Sequence, residues 1–406
     1  MATPSISLIP SGYKANKLYS VLPTNGNADL DVVRNSTANR INKDGLIEEM
    51  AVNVSLLDYS DSTCPSLLLQ PQSTNLITYP LSFDNSYWTK SGATVTSGHS
   101  APSVDNPTSA FKLVADNVTN QSYMNRSVTV TATSNYTFSI LAKKGEVDFI
   151  CLVGLNPFTA SYFDLANGVT LGNTAVSSSI EDYGNGWYRC SIEMIADTSS
   201  KFCGIYLSAN GTSLTATSIA DGDGVYIFGA QIEQQSYPTS LMLPVTEGST
   251  TTRLKDEVSK SGLSADINSE EGTLFVEAAA LSDDSTNRNI TLSDGTDTNR
   301  FVLKFDNQSN IIQAFNRVAG VETAFLGSAV GDITLFNKIA VKYKANDFAL
   351  WINGVEVDTD LSGASFPSNT LSVLSFSQSD TFYSKVNDLQ VFKTALSDTE
   401  LAELTS

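Results

Sequence analysis

The only histidine of the chain, His99, lies in the serine-rich stretch Thr96-Ser-Gly-His-Ser-Ala-Pro102. A Ser-His-Asp site would have to use this residue, because the triad needs an imidazole as its general base. The stretch is typical of a polar loop, in which a histidine is solvated and has no fixed partner. We therefore predict no catalytic role for His99.

Paired carboxylates are the second chemistry to consider, since glycoside hydrolysis uses two that flank the scissile bond. The acids in strand-like runs, Glu277, Asp306 and Glu356, are isolated in the sequence. An isolated acid supplies only one of the two groups that such a site needs. The sequence therefore predicts a protein that is not an enzyme.

Asp221-Gly-Asp-Gly224 places two carboxylates two residues apart, with backbone carbonyls between them. Oxygen ligands of this kind suit a hard cation such as Ca²⁺. The later ligands of an EF-hand loop are missing, and a turn before a strand explains the same residues. Asp221 and Asp223 are candidate ligands of a structural calcium, and no other cofactor is expected.

Aromatic rings are the third chemistry, because a ring offers a flat apolar surface on which the C–H face of a sugar can stack. The candidates for such a surface are Trp88, Tyr123, Tyr162 and Tyr206. Packing inside the protein is the competing interpretation for each of them. Trp187 and Trp351 lie in strong strand patterns and are assigned to packing.

Two runs in the middle of the chain alternate as half-buried strands do. In the first run one face carries Trp187, Arg189, Ser191 and Glu193, and the other carries Tyr188, Cys190, Ile192 and Met194. In the second run Val225, Ile227 and Gly229 oppose Tyr226, Phe228 and Ala230. A second sheet must cover the apolar faces of such strands.

Short strand-like runs separated by polar turns continue over most of the chain, and a capping box at Ser397 and Glu400 predicts a terminal helix. We predict an all-β fold with an N-terminal extended arm, two antiparallel β-sandwich (jelly-roll) domains and a short C-terminal helix. The predicted arm spans 1–80, the first sandwich 81–247 and the second 263–406, with a polar linker between the sandwiches. The arm has too little core to fold alone, so its own domains, sister chains or a partner must hold it.

The composition excludes several classes of protein. The formal net charge is −19 and the sequence pI is about 4.3, which argues against nucleic acid and anionic membrane as partners. The four cysteines, Cys64, Cys151, Cys190 and Cys203, match no zinc or disulfide pattern. The start has no secretory signal and no run reaches a membrane span, so we expect a protein made in the cytoplasm without membrane insertion.

Several of these residues also carry a resemblance. Gly186-Trp-Tyr-Arg-Cys-Ser191, followed by Val225-Tyr-Ile-Phe-Gly-Ala-Gln-Ile-Glu233, resembles a jelly-roll module that is similar to carbohydrate-binding modules and recurs in structural proteins of tailed bacteriophages. In those proteins a segment like Arg34 to Glu48 precedes the jelly roll. The resemblance implies that residues 1–80 serve attachment and oligomerisation.

The C-terminal part resembles the concanavalin A-like (laminin-G-like) sandwich of lectins and glucanases. The resemblance rests on Ile339-Ala-Val-Lys-Tyr-Lys344, Leu350-Trp-Ile-Asn-Gly-Val355 and Asp388 to Leu401. Glucanases of this fold carry Glu-X-Asp-X-X-Glu on a central strand, and this chain has no such motif at Glu277, Asp306 or Glu356. The resemblance therefore implies a lectin-like module rather than an enzyme.

Together the resemblances imply a virion protein of a tailed phage: a capsid-decorating head fibre or a tail-fibre-type adhesin that binds cell-surface glycans. The implied partners are other virion proteins, contacted through residues 1–80, and the implied assembly is a homotrimer. Two alternatives stay open, a purely structural decoration protein without a ligand and a glycan-degrading tailspike.

Overall fold

The computed structural model describes residues 2–116, 120–155 and 157–406. Within these residues the chain forms 33 β-strands and one α-helix. The first strands are β1 (Ile6–Leu8), β2 (Tyr13–Lys14), β3 (Lys17–Leu18), β4 (Leu30–Val33), β5 (Ala38–Ile41), β6 (Ile47–Met50), β7 (Leu56–Asp58), β8 (Ser66–Leu69), β9 (Ser73–Asn75), β10 (Thr89–Ser91) and β11 (Ala93–His99). They are followed by β12 (Ala110–Ala115), β13 (Tyr123–Thr129), β14 (Asn135–Lys144), β15 (Phe149–Leu155), β16 (Thr159–Asp164), β17 (Val169–Asn173), β18 (Ser177–Asp182), β19 (Trp187–Ile195), β20 (Ser200–Ser208), β21 (Gly224–Glu233) and β22 (Thr251–Arg253). The last elements are β23 (Glu257–Ser261), β24 (Glu271–Ala280), β25 (Arg288–Ser293), β26 (Arg300–Phe305), β27 (Ile311–Val318), β28 (Val321–Ala329), β29 (Asn337–Lys344), β30 (Phe348–Ile352), β31 (Val355–Asp360), β32 (Val373–Ser375), β33 (Ser384–Phe392) and α1 (Asp398–Thr405).

The chain divides into two compact units, and neither unit is continuous in sequence. Unit 1 consists of Met1–Thr37, Met50–Pro71 and Leu254–Ser406, and unit 2 of Ala38–Glu49 and Gln72–Arg253. The chain therefore passes from one unit to the other four times, after residues 37, 49, 71 and 253. The predicted all-β class, with antiparallel sandwiches and a short C-terminal helix, is confirmed.

Unit 1 is a sandwich of two large antiparallel sheets. One has the order β31-β30-β29-β24-β33-β8-β7, with β1 also paired to β33, and the other has the order β2-β3-β4-β23-β32-β25-β26-β27-β28. Alternate residues of the facing strands, such as Leu274, Val276 and Leu303, fill the core between the two sheets.

The helix α1 lies on the outer face of the first of these sheets, where Leu401 packs beside Phe275 and Trp351. Its predicted capping box is present, since the Glu400 carboxylate accepts a hydrogen bond from the Ser397 N–H at 3.1 Å. Among the described residues, no helix is both long and apolar enough to span a bilayer.

The first eighty residues do not form a separate arm, which corrects the predicted domain boundaries. Strands β1, β2, β3, β4, β7 and β8 belong to the sheets of unit 1, and β5, β6 and β9 to unit 2. Leu8, Leu18 and Leu67 are buried in the core of unit 1. Apolar runs too short to build their own core complete sheets made by residues more than two hundred positions later.

The predicted polar linker at 248–262 is also wrong, because it contains β22 and β23 and a buried ion pair. The Arg34 guanidinium donates to the Asp256 carboxylate at 2.9 Å and to the Ala51 carbonyl at 3.0 Å. The other carboxylate oxygen of Asp256 accepts from the Gln70 N–H at 3.0 Å. One ion pair thus joins the segments of unit 1 at all four points where the chain leaves or enters it.

Unit 2 is a second sandwich. Its front sheet has the order β10-β13-β20-β15-β16-β17, and its back sheet has the order β11-β12-β21-β14-β19-β18. The core between them contains Cys190, Ile192 and Met194 of β19, while Trp187 lies on the opposite face of that strand. The predicted alternation of β19 is confirmed.

The alternation predicted for β21 holds only as far as Phe228. A β-bulge at Gly229, with φ +64°, shifts the register against β14, so that Ala230 faces the core together with Ile227. Gln231 and Glu233 consequently fall on the outer face of the back sheet. An alternating pattern cannot be carried through a glycine that allows the strand to bulge.

The outer face of the back sheet is covered by other parts of unit 2. The hairpin β5–β6 contributes Ile41 and Ile47, and the segment after β21 contributes Leu241 and Leu243, to a cluster around Trp187. The Asn39 amide donates to the Leu241 carbonyl at 2.7 Å and joins the two covering segments. We call these two segments, 38–49 and 237–243, the cover.

Candidate functional site

The front sheet carries a row of aromatic residues on its outer face. Tyr123 of β13 is paired with Tyr206 of β20, Tyr206 with Cys151 of β15, and Cys151 with Tyr162 of β16. Directly opposed residues project from the same face of a sheet, so these side chains lie side by side. The rings of Tyr123 and Tyr206 stack, with centroids 4.4 Å apart and planes 14° apart.

The adjacent row has no ring of its own and leaves space for its neighbours. It contains Asn125 of β13, Gly204 of β20 and Val153 of β15. A Cβ atom at Gly204 would lie 2.7 Å from the Tyr206 ring and 2.8 Å from the Phe202 ring. Both rings therefore lie over Gly204. We call the set of Tyr123, Tyr162, Tyr206 and Phe202 the tyrosine face.

The tyrosine face is partly exposed. Tyr206 is 7% exposed and forms its centre, while Tyr123, Tyr162 and Phe202 around it are half-buried. Cys151, Val153 and Ala160 form its apolar floor. Leu214, in the loop between β20 and β21, packs against this cluster, and Tyr123, Tyr162 and Phe202 nevertheless remain partly exposed.

The tyrosine face is electrically neutral. Within its two rows the described residues of β13, β20, β15 and β16 carry no charged side chain. Burial, together with the neighbouring Tyr123 and Cys151, raises the pKa of Tyr206 to about 12. Burial and Cys151 raise the pKa of Tyr162 to about 12 as well. Both phenols therefore stay protonated at neutral pH and offer hydroxyl groups rather than charge.

This arrangement suits a hydroxylated ligand with an apolar side. The rings supply flat surfaces, the phenol hydroxyls donate and accept hydrogen bonds, and the Asn125 amide stands in the next row. Among the described residues of these two rows, no general base faces a nucleophile. Three of the four aromatic residues predicted from the sequence, Tyr123, Tyr162 and Tyr206, are brought together here.

Trp88, the fourth predicted residue, does not belong to this surface. It is 2% exposed, packs against Phe83 and Tyr87 with ring centroids 5.5 and 5.6 Å away, and donates its indole N–H to the Tyr79 carbonyl at 3.0 Å. The prediction that Trp88 binds a ligand is therefore wrong. The aromatic residues just before it in sequence enclose its ring.

The predicted calcium ligands lie in the turn that precedes β21. The Gly222 carbonyl accepts a hydrogen bond from the Lys112 ammonium at 3.3 Å, and the Asp223 carbonyl accepts one from the Ala115 N–H at 2.9 Å. The described residues include no group of three or more acidic, histidine or cysteine side chains that could hold a metal. Calcium at Asp221 and Asp223 stays a prediction, and the turn offers it no third carboxylate.

Glu277 is not isolated, which corrects the sequence analysis. It lies directly opposite Asp388 on the outer face of unit 1, and the Asn387 amide donates to its carboxylate at 3.2 Å. Burial raises the pKa of Asp388, and the charge of Glu277 raises it further. The bulge between Glu277 and Ala278 in this strand pairing means that the sequence pattern alone does not predict that Glu277 and Asp388 are neighbours.

His99 is the last residue of β11 and not part of a loop. Its ring lies 3.1 Å from the Thr96 hydroxyl and packs against Tyr226 with centroids 5.1 Å apart. Its ring partners are thus a threonine and a tyrosine, and neither is an acid that could orient an imidazole base.

Sequence reasoning missed Phe202, Gly204 and Cys151. Phe202 and Tyr206 have the same parity in β20, so a period of two would have placed Phe202 on the tyrosine face. Gly204 between two aromatic positions of one face was a further signal, because a glycine in a strand permits a close approach.

No protein-family model and no curated protein sequence matches the chain. Among solved structures, the CBM40 of the Ruminococcus gnavus IT-sialidase bound to α2,3-sialyllactose is 18% identical, with a TM-score of 0.29, and covers 34% of this chain and 83% of its own. Domain 4 of the Geobacillus stearothermophilus arabinanase AbnA, in complex with arabinotriose, is 10% identical, with a TM-score of 0.31. The match covers 42% of this chain and 84% of that domain. Domains LG4-5 of the mouse laminin α1 chain are 10% identical, with a TM-score of 0.24. The match covers 71% of this chain and 91% of those domains. These similarities at low identity concern β-sandwich folds and carry nothing about a ligand.

Proposed function

We propose that unit 2 binds a glycan on its tyrosine face and that the protein is a non-enzymatic structural protein of a tailed-phage virion, which displays this module for attachment to a host or a surface. The glycan-binding part rests on the geometry of the front sheet. The virion part rests on the resemblance carried by Gly186 to Ser191 and Val225 to Glu233.

One observation supports the binding function best: Tyr123, Tyr206 and Tyr162 lie in one row across four strands, and Tyr206 and Phe202 cover Gly204. A sheet holds such rings in place before a ligand arrives, so little side-chain entropy is lost on binding. The exposed fraction of Tyr123, Tyr162 and Phe202 leaves a surface that a sugar ring can cover.

The neutrality of the tyrosine face indicates the class of glycan. A chain with a formal net charge of −19 repels anionic ligands at long range, and the two rows of the tyrosine face place no cation under a bound sugar. We therefore expect neutral sugars to be preferred to acidic ones.

The segment expected to contact other virion proteins already makes contacts within this chain. In segment 34–48, Arg34 forms the buried ion pair with Asp256, and the hairpin β5–β6 forms part of the cover. Attachment and assembly into a homotrimer would then use surfaces that these contacts leave exposed. The two competing functions are a decoration protein without a ligand and a tailspike that degrades glycans.

The experiment uses the full-length protein on a glycan array, followed by calorimetric titration of the glycans that bind. We expect neutral glycans among them, with Tyr206→Ala lowering the affinity about 10-fold or more and Tyr206→Phe nearly unchanged, because the ring supplies the contact. Phe325→Ala, an exposed aromatic residue of unit 1, is the matched control and should bind like the wild type.

Absence of glycan binding by the full-length protein would leave the decoration protein as the better account. Cleavage of a bound polysaccharide that Asp388→Asn abolishes would establish the tailspike instead. Antibody labelling of intact particles tests the virion setting, and its failure would leave glycan binding by the tyrosine face untouched.

A further inference from the structure

A groove of about 480 Å³ opens at one end of unit 2, where its lining residue Thr129 is two residues along β13 from Ser127, the strand partner of Phe202. Strand β9, the turn between β13 and β14, and the residues after β21 form its walls. Its volume lies within the range of small-ligand sites, roughly 300–1,000 Å³. Thr129, which lines the groove, is six residues from Tyr123 along β13, a separation of roughly 20 Å in a strand.

The lining of the groove is polar without being charged. Its walls carry the amides of Gln72 and Gln234 and the hydroxyls of Thr74 and Thr131, and no acidic or basic residue lines it. Leu76 and the ring of Tyr136 provide an apolar base. Amides and hydroxyls each donate and accept hydrogen bonds, which matches the hydroxyl groups of a neutral sugar.

The polar groups of the groove are held in place. The Tyr136 hydroxyl accepts a hydrogen bond from the Thr131 N–H at 2.8 Å and donates one to the Gln234 amide oxygen at 3.4 Å. Tyr136 itself is buried. A single buried phenol therefore fixes one residue on each side of the groove.

The turn behind Thr131 is strained. Thr133 has φ +66°, a conformation that a β-branched residue rarely adopts, and its N–H donates to the Ala196 carbonyl at 2.6 Å. Strain of this kind persists where the surrounding structure imposes it, and it concentrates at binding sites. Thr133 follows the lining residue Thr131 by two positions.

A peptide is a poor fit to the same groove. Strand addition needs a free edge, but β9 pairs with β22 on one side. On its other side the Leu76 N–H donates to the Ile232 carbonyl at 2.9 Å. Recognition in the groove must therefore come from side chains, and these offer amide and hydroxyl groups.

We propose that this groove is a second ligand site of unit 2 and that it binds a short neutral oligosaccharide. Gln72 and Gln234 contact the sugar hydroxyls, and the Tyr136 hydroxyl positions Gln234 and the backbone of Thr131. The proposal does not depend on the tyrosine face, because the two sites share no residue.

The test titrates the full-length protein with three neutral trisaccharides, maltotriose, cellotriose and triacetylchitotriose, and with trigalacturonic acid as the charged counterpart. Saturation-transfer NMR detects binding and calorimetry measures the affinity. We expect at least one neutral trisaccharide to bind, with Gln234→Ala reducing its affinity about 10-fold and Tyr206→Ala leaving that affinity unchanged. Trigalacturonic acid should bind more weakly than the neutral trisaccharides.

Two further variants sharpen the test. Tyr136→Phe keeps the ring and removes only the hydroxyl, so it should weaken the same binding in the same direction. Gln308→Ala replaces an exposed glutamine of unit 1 and should change nothing. The proposal is overturned if none of the neutral trisaccharides binds, or if Gln234→Ala leaves their binding intact. Binding that only Tyr206→Ala removes would overturn it too, while supporting the proposed function.

Discussion

The two sheets of unit 2 treat their outer faces in opposite ways. The back sheet directs Arg189, Gln231 and Glu233 outward, yet the chain buries all three beneath or beside the cover. The front sheet directs Tyr123, Tyr162 and Phe202 outward and leaves them partly exposed. Polar side chains are thus hidden on one side of the sandwich and aromatic rings are presented on the other.

The buried polar residues of the back sheet act as structure. The Glu233 carboxylate accepts hydrogen bonds from the Ser73 hydroxyl at 2.6 Å, the Thr239 hydroxyl at 2.7 Å and the Gln231 amide at 2.6 Å. Burial alone would lower the pKa of Arg189, but Tyr183 and Glu233 hold that pKa above its ordinary value. This network fixes the segment that it contacts, and among its buried side-chain atoms in the described residues only the Nε of Arg189 is without a hydrogen-bond partner.

The front sheet shows the reverse. Leu214 from the loop after β20 packs against its outer rings, yet Tyr123, Tyr162 and Phe202 stay partly exposed, and the hydroxyls of Tyr162 and Tyr206 stay neutral. The comparison teaches that outward aromatic rings alone do not mark a side of this sandwich, since Trp187 and Phe228 of the back sheet are buried under the cover, whereas Tyr123, Tyr162 and Phe202 of the front sheet stay partly exposed.

The largest effect is expected on the back sheet. Glu233→Ala leaves the buried donors of Ser73, Gln231 and Thr239 without their acceptor and removes the negative charge that favours the buried Arg189, so it should lower the free energy of unfolding by about 3–5 kcal/mol. Urea unfolding of the full chain measures the loss. Glu233→Gln keeps the shape and should lose less. A loss below about 1 kcal/mol in Glu233→Ala would mean that the network does not hold the cover.

The next effect concerns the front sheet and separates binding from stability. Gly204→Ala pushes a methyl group against the rings of Tyr206 and Phe202, so glycan affinity should fall about 10-fold. The ring ends can move aside, so the unfolding free energy should change by only about 1 kcal/mol.

The matched control for Gly204→Ala is Gly172→Ala in β17. An added Cβ at Gly172 meets no atom within 4 Å, so both glycan affinity and stability should stay near the wild-type values. Equal glycan affinity of the Gly204→Ala and Gly172→Ala variants would show that the position of the Tyr206 and Phe202 rings over Gly204 does not affect binding.

Alkaline pH should destabilise the front sheet. Tyr206 has an ordinary pKa of 10.0 and a folded-state pKa raised to about 12, so its protonated form is favoured by folding. The stability from this group is complete below about pH 10 and is lost as the pH rises through 12. Comparison of unfolding free energies at pH 8 and pH 11 measures it, and Tyr206→Phe should fall less than the wild type. An equal fall in both proteins would place the alkaline sensitivity elsewhere.

The smallest effect is expected at the strained turn. Thr133→Gly removes a side chain that disfavours φ +66°, so the unfolding free energy should rise by about 1 kcal/mol or stay level. Thr215→Gly, at an exposed position of another loop, should instead lose stability. A loss in Thr133→Gly as large as in this control would show that the turn carries no strain.

Local pattern sufficed where strands are regular. The period of two predicted which residues of β19 face the core, and three of the four aromatic candidates, Tyr123, Tyr162 and Tyr206, lie together on one face. The two-residue alternation failed where the bulge at Gly229 inserts one extra residue into β21, which places Gln231 and Glu233 on the opposite face.

Long-range pairing was beyond a local pattern for a different reason. Nothing near Leu8 or Leu67 shows that their partners are Leu389 and Val386 of β33, because antiparallel register with a distant strand leaves no local mark. The burial of Trp88 was easier to predict from the sequence, because Phe83 and Tyr87, which pack against it, are close to it in sequence.

The four passages between the units have a consequence for proteolysis. A protease that cuts one passage leaves three others intact, and the Arg34–Asp256 pair still joins the segments around the cut. The nicked molecule should migrate as one species on a native gel and separate into two pieces only in denaturant. Because unit 1 uses residues from both ends of the chain, no fragment made by cutting the gene at a single point contains a complete unit 1.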